Sequence, residues 1–159
     1  MKKIIILFLI FSAVAFAKWE VGTDYTTSDY TITTFTTYDL EGSRASILIG
    51  VNVDYDFSVI SIEHYQIKKG DNSIVLIVTD NDGSDMTCRF LKDDIENYGI
   101  RMPASRSSVL TKILYNGKSA VLINRKKDEI LAVFDLSGIK QVMEKHVGSS
   151  YWYKYKLND

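Results

Sequence analysis

Ser119-Ala-Val-Leu-Ile-Asn124 and Glu129-Ile-Leu-Ala-Val-Phe-Asp135 are two short apolar runs rich in Val, Ile and Phe. The polar Arg125-Lys126-Lys127-Asp128 separates them, an arrangement that is the signature of a β-hairpin. They read as two central strands. After Leu136-Ser137-Gly138, the residues Ile139, Val142, Met143 and His146 fall at i, i+3, i+4 and i+7, the spacing of one helical face. A hairpin therefore runs into a helix that must fold back and cover a sheet.

Upstream, the same patterning repeats. Trp19-Glu20-Val21 alternates and predicts a short first strand, followed by a polar turn over 23–29. Residues 30–38 are crowded with threonine and aromatic side chains, which suit a pleated surface exposed on one face. Further strands are expected at 45–51, 57–63 and 85–91, and at 74–78, where five consecutive apolar residues imply burial on both faces. Asn81-Asp-Gly-Ser84 is a hairpin turn, because Asp-Gly accepts positive φ. Residues 92–98 are charged and fit either one helical turn or a loop. Residues 99–102 form a short strand closed by Pro103. Ser105-Arg-Ser-Ser108, with Val109, Leu110, Ile113 and Leu114 behind it, predicts a serine-capped helix ended by Asn116-Gly117. About seven to eight strands with regular turns point to an all-β class, an antiparallel β-sandwich or barrel with two short helices. The second choice is α+β.

The N-terminus carries an export signal. Lys2 and Lys3, the apolar run 4–11 and Ala15-Phe16-Ala17 form the three parts of a signal peptide over 1–17. Its roughly 13 apolar or small residues fall short of the ~20 that span a bilayer, so no stable membrane span is expected after cleavage. Residues 18–159 then form a single β-rich domain, secreted or periplasmic. Of the 19 basic side chains the leader holds two, so 17 remain against 20 acidic ones. That mildly acidic balance argues against nucleic acid. Cys88 is the single cysteine, so no internal disulfide forms, and stability rests on burial.

Candidate chemistry is sparse. The acidic turn 80–85 fails as an EF-hand, since its sixth and twelfth positions are Asp85 and Leu91. His64 and His146 lie in no metal-ligand spacing, and no serine sits in a Gly-x-Ser-x-Gly elbow. No catalytic, metal or cofactor-binding residue is assigned, and the chain is not expected to be an enzyme. Cys88 shares a strand face with Met86 and Phe90 and reads as a small buried hydrophobe. The segment 148–159 is an aromatic, basic tail that reads as a last strand. Its Tyr151, Trp152, Tyr153 and Tyr155 are the candidate partner-binding residues, because such rings are enriched at interfaces.

The helix-like 108–115, the turn Asn116-Gly117-Lys118, the strand 120–123 and Phe134-Asp135-Leu136-Ser137-Gly138-Ile139 also carry a resemblance. In these residues, and in Trp19-Glu20-Val21, the chain resembles the small exported proteins of the invasion-associated locus B group and the related type VI secretion-associated accessory proteins. Those proteins usually pair their cysteines, whereas Cys88 is alone. The resemblance implies a β-sandwich in the envelope or outside the cell, acting by protein contact, with no catalytic residues. The expected function is therefore protein binding as an envelope or secretion accessory factor. The alternatives are an inhibitor or immunity protein against a cell-wall hydrolase or toxin, and a small cell-wall-acting enzyme.

Overall fold

The computed structural model describes residues 19–27 and 30–149. The expected leader and the tail residues Tyr151, Trp152, Tyr153 and Tyr155 lie outside the described residues. Ten strands occur among the described residues: β1 (Glu20–Thr27), β2 (Tyr30–Tyr38), β3 (Ser46–Asn52), β4 (Phe57–Glu63), β5 (Ile74–Asp80), β6 (Asp85–Arg89), β7 (Ile95–Glu96), β8 (Gly99–Met102), β9 (Gly117–Asn124) and β10 (Glu129–Asp135). The helices are α1 (Ala104–Tyr115) and α2 (Ile139–Val147), with a 3₁₀ turn at Lys92–Asp94. One antiparallel sheet has the order β1-β2-β3-β4-β8-β7, the other β10-β9-β5-β6. Both sheets have free ends, so the fold is mostly β with two helices, α+β-like, and not a closed barrel.

Alternation builds the core. Ile47, Ile49 and Val51 of β3, Ile60 and Ile62 of β4, and Ile100 of β8 point inward from the six-stranded sheet. Leu76 and Val78 of β5, Ala120 and Leu122 of β9, and Ala132 and Phe134 of β10 join the same cluster from the four-stranded sheet. Leu110 and Leu114 of α1 and Ile139 and Met143 of α2 complete it. At the α1–β9 junction a Cβ on Gly117 would lie 2.7 Å from Leu136 Cδ1 and 2.8 Å from Val78 Cγ1, so this turn passes too close to the core for a side chain.

Several expectations need correction. β1 continues through the 23–27 stretch read as a turn and pairs with β2 from Glu20↔Thr36 to Thr27↔Tyr30. β9 is interior, but β10 is an edge strand rather than a central one. The N-cap of α1 is Pro103, and no serine side chain caps it. The buried face of that helix also differs, since Ser107 and Thr111 are buried while Val109 is 46% exposed. The cause is a polar contact. Ser107 donates to the Ser58 carbonyl on β4, and the Ser58 and Thr111 hydroxyls lie 2.8 Å apart, so small hydroxyl residues bring the helix close to the strand. Cys88 is half-buried rather than enclosed.

Candidate protein-binding face

The two sheets turn different outer faces to solvent. On the six-stranded sheet, Thr34, Thr36, Ser46, Ser61, Glu63 and Arg101 share the face opposite the core with Ile32, Tyr38, Leu48 and Val59, and Arg101 pairs with Glu63 at 2.8 Å. That face mixes hydroxyls and charges with aliphatic side chains gathered about Gly50. The four-stranded sheet sorts them into rows. Register aligns Ile130, Ile123, Val75 and Arg89 in one row, and Val133, Val121, Ile77 and Thr87 in the next. A third row, Asp135, Ser119, Thr79 and Asp85, is polar. Val75 is buried yet belongs to no part of the main core, and Ile130 is 61% exposed, so two rows of aliphatic side chains form a face that neither helix among the described residues covers.

Local chemistry sets this face. Asn124 ends β9, and its side-chain oxygen accepts from Lys126 N at 3.1 Å, Lys127 N at 3.2 Å and Ser73 Oγ at 2.9 Å, which shapes the basic turn and ties it to the loop before β5. A bulge between Ile130 and Ala132 lets Leu131 bury while Ile130 stays on the outer face. The outer edge of β10 is occupied. Val133 N donates to Asp39 Oδ1 at 2.7 Å, and Leu40 N donates to the Val133 carbonyl at 2.9 Å. Burial of Asp39 raises its pKa, but hydrogen bonds from the Ser43, Val133 and Glu41 amides outweigh that, and the carboxyl is held below its ordinary value.

His64 supports the same strand from beneath. It is buried, accepts from Gln66 N through Nδ1 at 3.2 Å, and contacts the Leu131 backbone. Burial pushes its pKa below 6.5, against the pull of Asp39 and Glu129. The unfolded chain therefore binds more protons here than the folded one, and stability is lost as pH falls through about 6.5 toward the lower folded value. Asp39 and Asp71, both lowered, add a second loss below 3.8. The melting temperature is expected to drop between pH 7.5 and 5.5, and His64→Gln should remove that first drop. An equal drop in the variant would show that His64 is not its source.

The acidic turn is built as a turn. Asp80 Oδ1 accepts from Asp82 N and Ser84 N, both at 2.9 Å, so the carboxylate closes its own loop. Among the described residues no three His, Cys, Asp or Glu side chains come together as metal ligands, and no helix is long and apolar enough to cross a membrane. The aromatic composition points to the tail, and no local pattern singles out Ile77, Val121, Ile123, Ile130 and Val133. The available signal was the unbroken apolar run of β5, which implies a cover on both faces where the fold supplies one. Comparison with family models, curated proteins and solved structures finds no match.

Proposed function

We propose that the chain is an exported, non-enzymatic, sandwich-like domain that binds another protein through the open face of its four-stranded sheet, as an envelope or secretion accessory factor. The observation that carries this reading is the pair of adjoining aliphatic rows on the outer face of the four-stranded sheet, Ile130, Ile123 and Val75 beside Val133, Val121 and Ile77. Ile130 is exposed and Ile77, Val121, Ile123 and Val133 are half-buried around it and the buried Val75, and a contiguous apolar face of this kind fits an interaction site. The exposed Arg125, Lys126 and Lys127 rim one end of the face and Asp85 and Asp135 the other, which would orient a partner of opposite charge pattern.

The test uses the chain without residues 1–17 as bait in envelope extract, beside Ile130→Asp. Ile130 is exposed, so the substitution should change stability by no more than about 0.5 kcal/mol, yet it places a charge on the most exposed aliphatic position of the face. A specific protein retained by the wild type and lost with Ile130→Asp is the expected result. Retention by both, at equal yield, would move the site elsewhere.

A further inference from the structure

β10 is covered along its outer edge, but among the described residues β6, at the other end of the same sheet, has no strand beyond it. Asp80 N donates to the Ser84 carbonyl at 3.0 Å and Gly83 N to the Asp80 carbonyl at 3.2 Å, with Gly83 at φ 83°; this three-residue loop sets the alternation of the hairpin. Met86 and Cys88 then aim their backbone groups at Val78 and Leu76 of β5, while Asp85, Thr87 and Arg89 aim theirs away from the sheet. Among the described residues no strand lies beyond β6. The strand has no lysine, proline or bulge along its edge, and its charges are confined to Asp85 and Arg89 at its two ends.

Its sequence is Asp85-Met86-Thr87-Cys88-Arg89, acid, apolar, neutral, apolar, base. Turned end for end, it is its own complement. Laid antiparallel on a second copy with Thr87 opposite Thr87, Asp85 meets the second copy's Arg89, Met86 meets Cys88, and the other half repeats by symmetry. The backbone agrees with the charges, because the three outward-facing residues are the ones that such a register hydrogen-bonds. Beneath the strand, Met86 is 49% and Val109 46% exposed, and with Cys88 and Ile113 they line two adjoining cavities of ≈ 160 and ≈ 210 Å³ between β6 and α1. A second copy would bring the same apolar side chains to that seam.

We infer that two copies of this chain pair β6 to β6 about Thr87, joining their four-stranded sheets into one of eight strands in a closed two-fold dimer. The inference stands apart from the proposed function, although pairing would double the aliphatic face. Five paired residues fall below the ~1,200 Å² of a standard interface, so α1 must contribute and a dissociation constant on the order of micromolar is expected.

Sedimentation of the chain without residues 1–17, from one to several hundred micromolar, tests it. The wild type should dimerise. Arg89→Asp and Asp85→Arg should each shift the chain to monomer by setting like charges opposite each other, and the double variant should dimerise again because the exchange restores opposite signs. Independently, Thr87→Cys in a Cys88→Ser background should give a covalent dimer on mild oxidation, since hydrogen-bonded residues in antiparallel strands place their Cα atoms about 5.5 Å apart, within disulfide reach. This second arm holds even if a charge variant fails to fold. A chain monomeric throughout, a dimer indifferent to Arg89→Asp, or a β6 edge protected from amide exchange only when a foreign protein is added would overturn the inference.

Discussion

Truncation of Phe134 to alanine is expected to lower stability by about 3–5 kcal/mol, the range for removing a large aromatic side chain from a packed interior. Phe134 has no solvent exposure and sits on the inner face of β10, paired with Ala120 of β9. Its neighbours Leu122 and Ala132 have little freedom to collapse into the gap, because both are held in the ladder. Domains of this size have total stabilities of roughly 5–15 kcal/mol, so the loss would be a large fraction and should lower the melting temperature by on the order of 10–20 °C. Ile130→Ala, on the same strand but the opposite face, is the control. Thermal melts should separate the two clearly; similar shifts would mean that the register of β10 is wrong and that the exposed face is not the one described.

That contrast also marks how far the sequence could be read. The β9–β10 hairpin, the helix after Gly138 and the strands β2 to β5 were legible because apolar periodicity and turn residues agree there. The neighbours of a strand were not. Nothing in Glu129 to Asp135 distinguishes a central strand from an edge whose outer hydrogen bonds are met by Asp39 and Leu40, some ninety residues earlier. Long-range partners of that kind have no local signature. The buried face of α1 differs from its apolar pattern for a related reason, since Ser107 and Thr111 are polar by type and bury only because Ser58 waits for them on β4. β1 runs beyond its expected end, because threonine, glycine and aspartate resemble a turn in composition while pairing with the threonine-rich β2 makes them a strand. The open aliphatic face was equally hidden. An apolar run says what a strand can bury, and only the topology says whether anything lies over it.

Removing the guanidinium of Arg106 should be the second large effect. Asp94, in the 3₁₀ turn before β7, has a side chain only 4% exposed, and Arg106 in the first turn of α1 is its ion-pair partner. A carboxylate taken out of water needs such a partner, and the loss of one member of a fully buried pair costs roughly 3–5 kcal/mol. Here the Arg106 side chain is 40% exposed, so water can replace part of the lost interaction. Arg106→Ala is therefore expected to destabilise by about 1.5–3 kcal/mol, the range for a hydrogen bond to a charged group. Asp94→Asn in the Arg106→Ala background should recover much of that loss, because it removes the stranded charge and keeps the shape. Denaturant unfolding of the wild type, both single variants and the double variant closes the cycle. Additive losses in the double variant would show that the two side chains do not act as a pair, and that α1 is anchored at its N-terminus by Pro103 and Ser107 alone.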